Sequence, residues 1–172
     1  MKTTIPVALA VVVLLGLACS QTKTADPLNY DDLILLDAEE LAAGGIKSEY
    51  AEMAETLKRY VDSPAEVFEE FDDTKAGYRV SCLGKDYPIY ADDMLEDEGQ
   101  SWGNATVAFF DIVNRQLVDS EHKFYAFYGG NDLGGMFLTD EQYATAIKII
   151  DRKLDWPFIP KMSPPTYGQP YD

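Results

Sequence analysis

The stretch FYAFYGGNDLGGMFL, from Phe124 to Leu138, constrains the fold more than any other part of the chain. Two β-type runs flank a turn with two glycine pairs, and aromatic side chains fall on both alternating faces of the first run. A strand that is apolar on both faces is typical of a sheet interior with cover on each side. Glycine permits positive φ at a bend, and Asn and Asp tolerate it. The stretch therefore predicts two core strands joined by a hairpin turn.

Three helical patterns accompany these strands. Apolar residues recur at three- and four-residue spacing over residues 46–61, directly after a glycine pair. The stretch NATVAFFDIVNRQLV (104–118) is apolar nearly all round, which predicts a buried central helix. A capping box at Thr139–Gln142 begins a third helix that is expected to reach about Lys153. Its predicted buried stripe consists of Tyr143, Ala146, Ile147 and Ile150.

A second hairpin is predicted where GYRVSCL and KDYPIYA are separated by Gly84. Pro88 cannot donate a ladder hydrogen bond, which indicates an edge position for its strand. Two stretches stay ambiguous: LILLD (33–37) fits a strand or a helical turn, and Ser63–Glu66 fits a capping box whose following residues do not decide between helix and strand. Together the patterns predict one α+β domain with a mainly antiparallel sheet and about three helices.

The amino terminus has the features of a secretion signal: a basic start, a short apolar run and small residues before a cleavage point. The apolar run is too short to span a bilayer, which takes about 20 residues. The stretch LLGLAC, which ends at Cys19, resembles the lipobox of bacterial lipoproteins. That resemblance implies removal of residues 1–18 and acylation of Cys19, which would anchor the protein in a membrane. Ser20 stands where aspartate would imply inner-membrane retention, so the outer membrane, facing the periplasm, is the expected location.

The remaining sequence divides into three parts. Residues 19–28 are polar and are expected to form a lipidated, flexible tether. Residues 29–155 are expected to form the α+β domain. Residues 156–172 are rich in proline and are expected to lie extended on the surface, held by Trp156 and Phe158.

Charge excludes one class of partner. The net charge of −16 repels phosphate backbones and anionic headgroups, so nucleic-acid binding is not expected. A basic protein partner or divalent cations would be attracted. With Cys19 acylated, Cys82 is the only other cysteine, so no intramolecular disulfide is expected. Cys82 lies in an alternating stretch that favours a small buried side chain over a reactive thiol.

The glycine-rich turn fits no cofactor template. A phosphate loop needs Lys and Ser or Thr after its last glycine, but Gly135 and Met136 follow Gly134. A single GGNDLGG also lacks the stacked copies that calcium-binding repeats require. His122 is the only histidine, so neither a common zinc site nor a serine triad is expected, and its own role is expected to be structural. We expect no metal, no cofactor and no enzymatic activity, although a carboxylate-based hydrolase stays open because carboxylate spacing is three-dimensional.

Two functions compete on this basis. The first is a periplasm-facing binding protein that neutralises a toxic or lytic enzyme, similar in general character to toxin-immunity proteins and lysozyme inhibitors. The alternative is a structural or assembly lipoprotein of the cell envelope. The expected contact surface combines the turn tip with an acidic loop predicted over residues 92–103, which includes Trp102, and with aromatic anchors. Its candidate residues are Asn131, Asp132, Asp92, Asp93, Glu96, Asp97, Glu98, Trp102, Tyr125 and Tyr128.

Overall fold

A computed structural model describes residues 28–74, 76–91 and 98–171. These residues form two three-stranded antiparallel sheets and three helices of ten residues or more, which confirms the predicted α+β class. The predicted signal segment, Cys19 and nearly all of the predicted tether lie outside the described residues. Leu28, which was assigned to the tether, is instead buried in the domain with 2% of its surface exposed.

The first sheet has the strand order β1-β6-β5, formed by β1 (Ile34–Leu35), β6 (Gly134–Thr139) and β5 (His122–Phe127). The predicted hairpin of β5 and β6 is confirmed. β6 is the central strand, whereas β5 is at the end of the sheet, where the backbone of Ala126 exchanges two hydrogen bonds with Phe158. The strand is nevertheless buried on both faces, because each face of the sheet packs against a separate apolar cluster.

The second sheet has the order β2-β3-β4, formed by β2 (Phe68–Asp72), β3 (Gly77–Cys82) and β4 (Lys85–Tyr90). The predicted hairpin around Gly84 and the edge position of the strand that contains Pro88 are both confirmed. Leu83 and Gly84 both have positive φ, which suits a tight two-residue turn. The Ser63–Glu66 stretch starts no helix; it leads into β2.

The segment 33–37, whose sequence fits either a strand or a helical turn, contains a short strand and the residue that caps the first helix. Ile34 and Leu35 form the two-residue strand β1. Asp37 then caps the short helix α1 (Ala38–Glu40), because its carboxylate accepts hydrogen bonds from Glu39 N and Glu40 N. A π-helical turn, Leu41–Gly45, joins α1 to α2 (Ile46–Leu57). Gly44 has a φ of 105°, so the predicted glycine break lies where the backbone leaves helical geometry.

The central helix α3 (Glu98–Asn114) is buried as predicted but begins earlier than the sequence suggests. Residues 98–103 were expected to belong to the acidic loop 92–103, because glycine, serine and acidic residues favour turns. Tertiary packing overrides that preference. Ser101 and Asn104 are buried, and the Asn104 side chain donates to the carbonyl of Ile89 in β4.

The last helix, α4 (Asp140–Ile149), begins at the predicted capping box and ends before the predicted Lys153. The helix ends because the backbone of Ile150 is extended. The Ile150 carbonyl accepts a hydrogen bond from the indole N–H of Trp156. Of its predicted stripe only Ala146 is fully buried, and the other members are partly exposed. No helix in the described ranges is both long and apolar enough to cross a membrane.

The proline-rich tail packs into the domain at several points, whereas the sequence predicted an extended segment on the surface. Phe158 is buried and Trp156 is half-buried. The tail also returns to α3, where the Tyr167 hydroxyl donates to the carbonyl of Gln100. A Cβ at Gly103 would collide with the Tyr167 ring, so that glycine permits the close approach.

Candidate partner-binding surface

The turn between β5 and β6 protrudes from the first sheet but is fixed at both ends. Tyr128 and Gly130 adopt positive φ, and Gly130–Asp132 form one 3-10 turn. Leu133 then enters the core, its N–H donating to Gly130 O and its carbonyl accepting from Leu36 N at 2.8 Å. Asn131 and Asp132 are exposed between these fixed points. The tip therefore presents two polar side chains on a backbone with little freedom to move.

The glycines of this turn have different roles. A Cβ on Gly135 would approach the buried Phe124 ring within 2.8 Å of both Cε atoms. A Cβ on Gly134 would be 3.0 Å from Leu33 Cδ1. Both glycines belong to β6 and pair with β1, and they leave room for Leu33 on one face of the sheet and for Phe124 on the other. Of the four glycines of this turn, only Gly130 has the positive φ that glycine permits at a bend.

A groove of about 460 Å³ lies on the β1 side of the turn. Its most exposed apolar member is Leu35, with 78% of its surface accessible. Tyr128, Asn131 and Asp132 form part of the same groove. The remaining lining residues are Leu33, Leu36 and Leu133. Three of the predicted partner-binding residues are thus brought together, beside leucines that were not predicted to belong to the contact surface. We call this surface the leucine groove.

A second cavity of about 250 Å³ lies between the turn, α3 and the carboxy-terminal tail. Trp102 of α3, Tyr128 and Leu133 line it, together with Pro165 and Tyr167 of the carboxy-terminal tail. Trp102 was expected on a loop, but it lies in the second turn of α3 and is partly buried against the core. Trp102 therefore lies close to Tyr128 of the predicted contact surface, and the helix α3 holds it there.

The other nominated residues are not part of the groove. Tyr125 is 5% exposed and stacks on Tyr143 of α4 at 4.9 Å between ring centroids. It shares a face of the sheet with Leu35, but α4 covers it there, in the same apolar cluster as Tyr143. Asp92, Asp93, Glu96 and Asp97 lie outside the described residues. Glu98 begins α3.

The chain segments around the leucine groove are acidic. Residues 28–40 and 124–147 contain no Lys or Arg. Asp31, Asp32, Glu39 and Glu40 are exposed near β1, as is Asp132 at the turn. An apolar floor inside an acidic surround favours a partner that offers an apolar side chain flanked by basic ones.

A separate polar cluster connects the second sheet to α3. The Asp111 carboxylate accepts hydrogen bonds from Lys85 Nζ and from the Tyr87 hydroxyl, each at 2.7 Å. Arg115 donates to the Tyr87 hydroxyl at 3.4 Å. Burial raises the pKa of Tyr87 to about 12, with the hydrogen bond from Arg115 acting against it and the Asp111 charge adding to it.

The same cluster keeps Asp111 ionised. Burial raises the pKa of Asp111, but the hydrogen bonds from Lys85 and Tyr87 and the charges of Lys85 and Arg115 outweigh it, so the pKa lies below its ordinary value. A protonated phenol beside a carboxylate that is ionised near neutral pH has no proton to exchange there. The cluster therefore serves as a cross-link between the hairpin and the helix.

Cys82 and His122, the cysteine and the histidine of the domain, both pack against the rest of the fold. Cys82 is 2% exposed, which confirms the predicted buried thiol, and burial raises its pKa, with Arg115 acting against that rise. His122 is partly buried, and its ring lies 4.7 Å from the Tyr60 ring. Within residues 28–74, 76–91 and 98–171, no group of three or more His, Cys, Asp or Glu side chains is placed to hold a metal ion.

Little in the sequence indicates that the leucines of the groove are exposed. The run LILLD was ambiguous between strand and helix, and an apolar run is ordinarily assigned to the core. Exposure of Leu35 follows from the pairing of β1 with Gly134 and Gly135, which a single sequence does not reveal. Compared with known proteins, the chain matches no family model, and neither the curated proteins nor the solved structures include a match to it.

Proposed function

We propose that this protein is a lipid-anchored, periplasm-facing binding protein that neutralises a toxic or lytic enzyme by direct contact. Cys19 would carry the lipid anchor, and the leucine groove would receive the enzyme. Wall-degrading enzymes are commonly basic, so the acidic surround would accelerate encounter and select partners.

The observation that carries the proposal is the exposure of Leu35 beside a fixed polar turn. A leucine that loses its contact with water contributes about 1.5–3 kcal/mol, which is the range of an interface anchor. Residues held by strand pairing lose little conformational freedom on binding, so more of that energy appears as affinity. Asn131 and Asp132 would supply the polar rim around the anchor.

The chain offers a matched control for this test. Val118 is also 78% exposed but lies after α3, away from the groove. We expect the mature domain without its anchor to capture an exported hydrolase or toxin, Leu35→Asp to abolish the capture, and Val118→Asp to leave it intact. Equal loss in the two variants would refute the groove as the docking surface.

A genetic test separates neutralisation from envelope assembly. A strain without the gene should be killed or lysed by contact with sibling cells that export the enzyme, and the wild-type gene should restore protection. Survival of the deletion strain, with an envelope complex as the only captured partner, would favour the assembly alternative and refute neutralisation.

The anchor has its own test. We expect Cys19→Ser to release the protein from the membrane fraction, because the acyl chains that hold it there require the thiol. Persistence of the variant in washed membranes would contradict the lipidation proposal.

A further inference from the structure

The edge strand β2 is a second candidate for binding. Of the eight phenylalanines in the chain, six are at most 8% exposed. The other two, Phe68 and Phe71, both lie on β2 and are 54% and 51% exposed. The two residues are three positions apart and so point to opposite faces of β2, which means that each face presents one half-exposed aromatic ring to an added strand.

The strand is held rigidly from one side only. The Glu69 carboxylate accepts hydrogen bonds from Lys47 N at 2.9 Å and from the Tyr78 hydroxyl at 2.6 Å. Phe71 stacks on Tyr78 with ring centroids 4.8 Å apart. Its ring also contacts Gly44, at the kink before α2. β2 is therefore positioned on β3 and α2 without use of its outer edge.

The outer edge of β2 is open among the described residues, because the sheet order places β3 on its other side. An edge strand directs the N–H and C=O of every second residue outward, which is a template for one more strand. Charge decides which strand fits. Glu70 and Asp72 are exposed on β2, so a second copy of this strand would place acids against acids.

We propose that β2 accepts an extended basic segment of a partner protein, one that alternates Lys or Arg with apolar residues and adds to the sheet as a fourth strand. Its main chain would pair with the outer edge of β2. Its basic side chains would face Glu70 and Asp72, and Asp72 would keep the hydrogen bonds that its Oδ1 accepts from Thr74 N and Thr74 Oγ1. Glu70 is 3.7 Å from Arg79 in an exposed ion pair, which contributes little and can be exchanged for the partner's charge. This inference concerns a surface distinct from the leucine groove and does not rest on the neutralising function.

The probe is a labelled ten-residue peptide of alternating Lys and Val, titrated against the mature domain without its anchor. Fluorescence anisotropy gives the Kd. We expect Glu70→Lys with Asp72→Lys to weaken binding about tenfold or more. Asp119→Lys with Glu121→Lys makes the same change in net charge at exposed positions away from β2, and it should weaken binding much less. Equal weakening by the two double variants would overturn the proposal.

Strand addition is separated from simple charge attraction by backbone methylation. Two further peptides carry N-methyl groups at odd or at even positions, with side chains and charge unchanged. One of them should lose about tenfold or more in affinity because its pairing edge is blocked. The unmodified peptide should also slow amide exchange of residues 68–72. Full affinity in both methylated peptides, or a concentration-dependent dimer through β2 in sedimentation, would overturn the inference. A Leu35→Asp variant should bind the peptide normally.

Discussion

Gly135→Ala tests whether the glycine-rich turn is built for packing. The added Cβ would be within 2.8 Å of Phe124 Cε1 and Cε2, whereas ordinary contact begins at 3.4 Å. Phe124 cannot retreat, because it is fully buried with Phe110 and Phe137 each at 4.7 Å between ring centroids. Overpacking of this kind lowers the free energy of unfolding by about 1–3 kcal/mol or more. Because the Phe124 ring is enclosed, we expect a loss of about 3 kcal/mol. For a domain of this size the melting temperature should fall by about 6–12 °C.

The assay is thermal unfolding followed by circular dichroism, with Gly130→Ala as the matched control. Gly130 has a φ of 63°, but a Cβ added there would meet no atom within 4 Å, so its substitution costs only the left-handed backbone, about 1 kcal/mol. In a Phe124→Leu background Gly135→Ala should cost markedly less, because the collision is relieved. A Gly135→Ala protein that melts with the wild type would refute the packing account of this glycine.

Three further predictions concern the cluster on α3, the cap of α4 and the turn tip. The Asp111 carboxyl has a lowered pKa, so its contribution to stability is complete above the ordinary value of about 3.9 and is lost as pH falls through the lowered pKa. Urea unfolding should therefore show a constant deficit for Asp111→Asn from pH 7 to about 5, which shrinks below about pH 4; a deficit independent of pH would contradict the pairing with Lys85. Thr139→Ala removes the cap of α4 and should cost about 1 kcal/mol in the same assay, and no change would refute the cap's role. Asn131→Ala with Asp132→Ala should change stability by no more than about 0.5 kcal/mol while weakening enzyme capture, and a large loss of stability would make the tip architectural.

The sequence predicted the elements whose patterns are local. The hairpin of β5 and β6, the hairpin around Gly84 and the capping box at Thr139 depend on neighbouring residues, and all three are confirmed. Helix α3 began earlier than predicted because burial of Ser101 and Asn104 is a tertiary effect.

The candidate surface was only partly predictable. Tyr128, Asn131 and Asp132 were nominated together because they are close in the chain, and they line one groove. Leu35 was missed because its exposure depends on pairing with Gly134, which is distant in the chain. Tyr125 was expected to anchor a partner because it is an aromatic residue near the turn, but Tyr143 of the distant helix α4 covers it.

The most direct test of the central claim is an inhibition titration. The activity of the exported hydrolase or toxin that the domain captures is measured against increasing amounts of the anchor-free domain. We expect the wild type and Val118→Asp to abolish activity at about one molecule of domain per enzyme, and Leu35→Asp to leave the enzyme active at that ratio. An enzyme that stays fully active with the wild-type domain, or that Leu35→Asp inhibits equally well, would contradict neutralisation through the leucine groove.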